Sequence, residues 1–347
     1  MSLPDVTDGA RPRASLSATG RATFDALVRV AGLFGAIIIV GVVFVAINPN
    51  IGNVNMAGSV LRSMSSMAIM SLGVVLVIVV GEVDLSFAAT YGLAANVVAV
   101  LWILYGVPVY VAIPIGLLVG ALTGVFNAVL TTRLKIPSFI VTLGSYNLIY
   151  GLTLWVDSSN TFNPAYPPAG STVAPDQLNF FIGLTQSAGA FSLEIVWMIG
   201  VAVLAYILLH RSLFGFRLFA VGGNPIAANL ARLPVVKLKT AAFVICGVLA
   251  ALAGILDFSF IQSVQPDSGL AQTFPVFAAV VIGGASLSGG KGTIIGTVGG
   301  ALLLAELQLG LSILSPGPHV QQIFLGVVTI GAVALDLLLT NLRKRRV

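Results

Sequence analysis

The chain has 347 residues and a net charge of +5; 57% of its residues are hydrophobic and only 8% are charged. A soluble protein carries about a quarter of its residues charged because its surface must meet water, so the composition predicts a polytopic membrane protein. The basic residues fall between apolar stretches instead of forming one patch, which argues against nucleic-acid binding. Cys246 is the single cysteine, and His210 and His319 lie far apart, so disulfides, a metal cluster and a cofactor are not expected.

The first 27 residues are polar and basic, which predicts a cytoplasmic N-terminal tail over 1–27. The stretch Val28–Ile47 is long enough to cross a hydrocarbon core of about 30 Å and reads as a retained first span, since a signal peptide has a shorter apolar core. Nine further apolar stretches give ten predicted spans in one all-α transmembrane domain over 28–340, at about 57–80, 86–104, 109–131, 137–155, 192–209, 240–260, 272–289, 293–313 and 319–339. The region 272–313 can also be divided differently.

The distribution of Lys and Arg predicts the orientation. With the N-terminus inside, ten crossings place 132–136, 211–239, 290–292 and the basic tail 341–347 in the cytoplasm, together with all but one of the 17 basic residues. The exception is Arg62. Residues 156–191 contain four prolines but no Lys or Arg, and become the main external segment, too short and proline-rich for a separate enzyme domain.

Two apolar runs carry similar interruptions at residues 80–86 and 282–288, which share Gly, Leu and Ser at matching positions. Gly-interrupted segments at corresponding places in two halves are typical of broken or re-entrant helices that line a transport site. Backbone groups freed by such a break must be buried in protein or line water. Ordinary packing of small residues between helices is the alternative explanation.

Several polar side chains lie within or beside these spans, where an ionised acid costs roughly 2.5–3.5 kcal/mol on insertion scales. The acids must therefore face a cavity, a partner or the interface. Carboxylates, amides and hydroxyls can bind a hydroxyl-rich solute through paired hydrogen bonds, although a single Asn more often holds helices together. The predicted substrate path consists of Glu82, Asp84, Ser86, Asn96, Asn127, Asn147, Ser286, Ser288 and Glu306.

The basic loop 211–239 contains a predicted short helix. Asn224 suits the N-cap and Pro225 the first helical position, so the helix should run to about Leu233 and end at Pro234. Ile226, Leu230 and Leu233 would then form one apolar face. Such a short helix needs a surface to dock on, and the loop alone leaves open whether this is the lipid headgroup layer or a protein.

The glycine-rich stretch around Lys291 is not a nucleotide-binding loop. A phosphate-binding loop needs G-x-x-x-x-G-K-[ST], but Ala285 stands at the first glycine position and Gly292 follows the lysine. We therefore interpret the stretch as a flexible turn anchored by Lys291 at the inner face.

Taken together, the motifs make the chain resemble the permease subunits of bacterial ABC importers for monosaccharides, of the ribose, xylose and arabinose type, over about residues 30–340. The resemblance rests on four blocks in the same order: Gly81-Glu82-Val83-Asp84-Leu85-Ser86, residues 136–144 (IPSFIVTLG), residues 214–217 (FGFR) running into 222–228 (GGNPIAA), and residues 281–292 (VIGGASLSGGKG).

The resemblance implies a permease in the bacterial inner membrane with both termini cytoplasmic. Its implied partners are a second permease copy in a homodimer or heterodimer, an ABC ATPase on another polypeptide and a periplasmic solute-binding protein. It also implies that the short helix is the coupling helix that sits in a groove of the ATPase, with the coupling residues Gly223, Asn224, Pro225, Ile226, Ala227, Ala228, Leu230 and Arg232.

The family usually has a second glycine where this chain has Glu82, so the solute stays open between a common monosaccharide and a less usual sugar or polyol. Related permeases carry branched-chain amino acids, nucleosides or autoinducer-type sugars. The alternative function is a proton-coupled secondary transporter using Glu82, Asp84 or Glu306. A membrane enzyme ranks third, since no nucleophile and base are placed together in the sequence.

Overall fold

The computed structural model describes residues 15–314 and, beyond them, only 317, 319–324, 326–327, 330–331 and 334, with side chains from residue 31 onward. Most of this part of the chain is helical, as predicted. The helices are α1 Ser15–Ile47, α2 Val54–Val79, α3 Phe87–Ala99 with a π-helical extension Val100–Leu104, α4 Val109–Thr132, α5 Ser138–Val156, α6 Pro175–Gly183, α7 Leu193–His210, α8 Leu213–Gly223, α9 Pro225–Leu230, α10 Val235–Ile261, α11 Thr273–Ile282 and α12 Ile294–Ile313.

Seven helices in the described part of the chain are long and apolar enough to cross a membrane: α2, α3 with its extension, α4, α5, α7, α10 and α12. They coincide with seven predicted spans. The helix of the first predicted span starts earlier, since α1 begins at Ser15. The tenth predicted span, 319–339, and the basic tail 341–347 lie outside the described residues, apart from the scattered positions given above.

The predicted full span at 272–289 is wrong. Helix α11 has only 10 residues, about 15 Å of helix, which is half of a hydrocarbon core. Turns replace helix after Ile282 because Gly284 adopts a φ of 90° and a loop follows to Thr293. Before α11, residues 262–272 run back along α3 in an irregular stretch with a single 3-10 turn. The segment is therefore of the broken, re-entrant kind.

Helices α2 and α3 form the centre of the fold. They are buried along most of their length, whereas α4, α5 and α7 leave most of their surface uncovered. A helix that is apolar all round can be buried on every side. Helix α10 approaches α4 so closely that a Cβ at Gly247 would lie 2.0 Å from the carbonyl oxygen of Gly120, which is the close backbone approach that small residues permit between membrane helices.

The segment 156–191 folds onto the ends of α3 and α10. Phe162 and Val264 exchange two backbone hydrogen bonds of 3.0 Å. Phe181 lies against Trp102 and Phe258, with ring centroids 5.0 and 4.9 Å apart. The segment holds only α6 and a hairpin of two-residue strands, β1 Ser187–Ala188 and β2 Phe191–Ser192, so it is a cap on the helices.

Candidate functional site: a broken helix and the helix below it

The chain breaks between α2 and α3, as the Gly-interrupted motif predicts. Gly81 adopts a φ of 85°, a conformation that costs glycine little, and residues 82–85 are not helical. Asp84 is buried inside this break. Its carboxylate accepts hydrogen bonds from the Ser86 backbone N–H at 2.8 Å and the Ser86 hydroxyl at 2.7 Å.

A polar network extends from this break into α4 and α5. The Asn127 side-chain amide donates to Ser86 Oγ at 2.7 Å, and the Ser145 hydroxyl donates to Asn127 Oδ1 at 2.6 Å. Four side chains from three parts of the polypeptide are thus linked by buried hydrogen bonds. We call them the Asp84 network: Asp84, Ser86, Asn127 and Ser145. Sequence reasoning singled out the first three together and missed Ser145.

Helix α5 also satisfies the backbone of the break. The Val83 N–H donates to Ser138 Oγ at 3.1 Å, and Thr142 donates to the Val83 carbonyl at 3.3 Å. Non-helical backbone at membrane depth persists only where protein or water satisfies it. Sequence reasoning missed these two hydroxyls as well, although both lie in the 136–144 block that it had already marked.

Glu82 does not join the Asp84 network. Its carboxylate pairs with the Lys239 ammonium on α10, and both side chains are mostly buried. The pair links the start of the break to the helix that leaves the 211–239 loop. Sequence reasoning used Lys239 only as a topology signal and did not find this pairing.

The second predicted break meets the first. The Gly290 N–H donates to the Val79 carbonyl at 2.9 Å, where α2 ends. Gly222, near the end of α8, lies against both, because a Cβ there would be 1.8 Å from the Val79 oxygen and 2.7 Å from the Gly290 nitrogen. We call this contact of three backbone segments the glycine junction. Within the described residues Ser286 and Ser288 bond only inside their own loop.

The short helix α9 follows the glycine junction directly. The Asn224 side chain accepts from the Ala227 N–H at 3.0 Å and Pro225 takes the first helical position, so the predicted start is confirmed. Ile226 and Leu230 are 77% and 81% exposed, so α9 presents two uncovered apolar side chains one helical turn apart.

The predicted end of α9 is wrong. The helix stops at Leu230, and Arg232 takes a φ of 58° two residues later. Leu233 consequently packs on the core and does not extend the apolar face. Pro234 instead precedes α10. Helix α8, immediately before α9, was not predicted.

Three other predicted path residues lie apart from the Asp84 network. Asn96 donates to the Gly92 carbonyl at 3.0 Å and the Gln265 carbonyl at 2.9 Å, which ties α3 to the irregular stretch before α11. Asn147 is exposed on the outer face of α5. Glu306 lines a cleft of about 520 Å³ between α1, α2 and α12.

The protein is polytopic and helical, and its central helix is broken around a buried polar network. An exposed apolar helix is joined to that break. These features define the class of membrane transport subunits. Over residues 56–333 the chain matches the family described as branched-chain amino acid transport system / permease component.

The chain is 33% identical to the ribose import permease protein RbsC of Escherichia coli over 306 residues, covering 87% of this chain and 91% of that protein. It is 32% identical to RbsC of Bacillus subtilis, covering 91% and 95%, and 32% identical to the fructose import permease protein FrcC of Rhizobium meliloti, covering 80% and 76%. No solved structure gave a significant match. The chain therefore belongs to this permease family and is a multi-pass protein of the inner membrane.

Proposed function

We propose that this chain is the translocating subunit of an ATP-binding-cassette importer for a monosaccharide or sugar-like solute. A separate ATPase supplies the energy and a periplasmic binding protein delivers the solute. The names of the similar proteins, which include ribose, fructose and galactose import permeases, support a sugar. The observation that carries the coupling part of the proposal is the glycine junction, because it joins the exposed α9 directly to both breaks.

Helix α9 is the surface that meets the ATPase in this proposal. Its six residues are too few for a stable isolated helix. Ile226 and Leu230 expose their side chains beside the basic residues of the loop, and an apolar pair presented in this way is typical of a helix that lies in a groove of a partner.

Movement of α9 reaches the membrane interior through backbone contacts. Gly222 of α8 touches Val79 and Gly290 without intervening side chains, so a displacement of α8 and α9 must displace the end of α2 and the 284–292 loop together. The ion pair of Glu82 and Lys239 adds a second link from α10. ATP and the loaded binding protein then act by favouring different states of this unit, because a ligand with equal affinity for both states shifts nothing.

The solute path runs along the outer face of α5, between this chain and a second permease copy. That face is apolar except for Asn147, which lies between Gly144 and Gly151. The Asn147 amide donates to the Leu143 carbonyl of its own helix at 3.2 Å, and its side-chain oxygen can bond across a helix interface or to a polar solute. The opposite face of α5 carries Ser145 of the Asp84 network, so a shift of α5 would bring the network into the path.

The proposed orientation places both termini and α9 in the cytoplasm. Residues 156–191 then lie on the periplasmic side, where the binding protein docks. The absence of Lys and Arg from that segment supports this direction.

A pull-down from native membranes tests the proposal. Wild type should recover an ABC ATPase, and the Ile226→Asp/Leu230→Asp double variant should lose it, because two carboxylates cannot enter an apolar groove. Tyr166→Asp is the matched control, since Tyr166 is 82% exposed on the 156–191 segment. An ATPase recovered equally with the double variant refutes α9 as the contact. Uptake that survives ATP depletion but collapses with an uncoupler refutes the importer as a whole.

A further inference from the structure

A cluster of charged side chains outside the sites described above joins four helices. Arg62 on α2, Tyr91 on α3, Glu194 on α7 and Asp257 on α10 converge in the interior near the β1–β2 hairpin. We call these four residues the Arg62 cluster. Neither the coupling helix nor the Asp84 network uses them.

Within this cluster each carboxylate oxygen of Asp257 has a hydrogen-bond donor. Arg62 Nη1 lies 3.4 Å from Asp257 Oδ1, and the Tyr91 hydroxyl donates to Oδ2. The Arg62 guanidinium also stacks on the Phe260 ring, 4.3 Å from its centroid. Arg62 and Asp257 therefore form a matched ion pair.

Glu194 has no such partner among the described residues. Its side chain is fully buried, and neither carboxyl oxygen has a hydrogen-bond partner in that part of the chain. The nearest described cation is Arg62, with Nη1 at 4.0 Å from Oε2, beyond hydrogen-bond distance and already paired with Asp257. Among the described residues no other salt bridge reaches Glu194.

Among the residues whose side chains the structure describes, the remaining salt bridges bring no second positive charge to Glu194. Its other electrostatic neighbours are Tyr91 of α3 and Asp257 of α10. Helix α12 also packs against α7, but its titratable residue is another acid, Glu306, whose carboxyl lies beside Gly41 of α1. The cluster thus holds two carboxyl groups and one cation.

A buried carboxylate without a donor or a dedicated cation is strongly unfavourable, and such a group takes up a proton instead. We propose that Glu194 is a proton-binding site, where one proton from water forms an O–H bond on the carboxyl group and makes the Arg62 cluster neutral overall. In this state the cluster holds α2, α3, α7 and α10 together next to the hairpin. Release of the proton leaves a net negative charge in the interior and weakens the contact of α7 with α2.

Infrared spectroscopy of the purified permease in lipid nanodiscs tests this site directly. At neutral pH wild type should show a protonated-carboxyl C=O band that Glu194→Gln lacks. Asp176→Asn, which changes an exposed acid of α6, is the control and should leave the band in place. A spectrum of Glu194→Gln identical to wild type in this region overturns the proposal.

The pH dependence of thermal unfolding gives an independent readout. The unfolded chain releases the Glu194 proton more readily than the folded protein, so the Tm of wild type should fall as the buffer is raised from about pH 5 to about pH 8. The Tm of Glu194→Gln should fall less over the same interval. Parallel curves for the two proteins overturn the proposal.

A variant of the neighbouring acid tests the charge count without changing Glu194. Asp257→Asn removes the partner of Arg62, which is then available to pair with an ionised Glu194. The protonated-carboxyl band assigned to Glu194 should disappear in this variant too. Persistence of the band in Asp257→Asn overturns the charge-count argument, and the result stands even where Glu194→Gln folds poorly.

Discussion

Replacement of Gly222 by alanine perturbs the glycine junction with one methyl group. The added Cβ would lie 1.8 Å from the Val79 oxygen and 2.7 Å from the Gly290 nitrogen. Both contacts are shorter than real Cβ contacts and both involve backbone, so α8 and the end of α2 must separate by about 1 Å or more. The hydrogen bond from Gly290 to Val79 lies in the same contact and should weaken.

The expected loss of stability of the junction is the sum of these two effects. Overpacking by one methyl costs about 1–3 kcal/mol, and a lost backbone hydrogen bond adds about 1 kcal/mol. The assembled junction is thus destabilised by about 2–4 kcal/mol, roughly a 30-fold to 900-fold change in its population. We expect a lower Tm and a loss of solute uptake, with recovery of the ATPase in the pull-down unchanged because α9 keeps its exposed side chains.

The neighbouring Gly223 provides a matched control. A Cβ at Gly223 would meet nothing within 4 Å, so Gly223→Ala should retain the Tm of wild type, whereas its uptake also depends on the predicted coupling role of Gly223. The assays are thermal unfolding of the purified protein and uptake of labelled monosaccharides by cells that express each variant. An equal Tm for Gly222→Ala and Gly223→Ala would refute the junction as the link between α9 and the breaks.

Four further substitutions test the path and the ion pair. Asp84→Asn should cut uptake while the ATPase still co-purifies, because a neutral amide oxygen accepts the two hydrogen bonds from Ser86 more weakly than a carboxylate oxygen does; normal uptake would remove Asp84 from the path. Lys239→Ala should lower stability by about 1–3 kcal/mol in thermal unfolding, since it leaves the Glu82 carboxylate mostly buried and unpaired. Adding Glu82→Gln should restore part of that loss, and a double variant as unstable as the sum of its single variants would contradict the pairing. Asn147→Leu should reduce uptake without lowering the Tm, and full uptake by this variant would argue against the outer face of α5 as the path.

The sequence determined the features that depend on neighbouring residues. The lengths of the apolar runs predicted ten spans, seven of which coincide with long helices in the described part of the chain, because a helix must satisfy its own backbone in lipid. The glycine and acids at 80–86 predicted the α2–α3 break, and Asn224 with Pro225 predicted the start of α9, because caps and turns are set within a few residues.

The predictions that were wrong and the contacts that were missed depend on residues far apart in the chain. Glu82 and Lys239 are separated by 157 positions, and Arg62 and Asp257 by 195, so no local pattern shows that they pair.

Helix α9 ends before its predicted end because Leu233 packs on the hydrophobic core. Helix α11 reaches only half the length of a span, and the loop after it contacts Val79 and Gly222. Only the tertiary structure decided these points, because packing against a distant segment overrides the local preference of the chain to continue a helix.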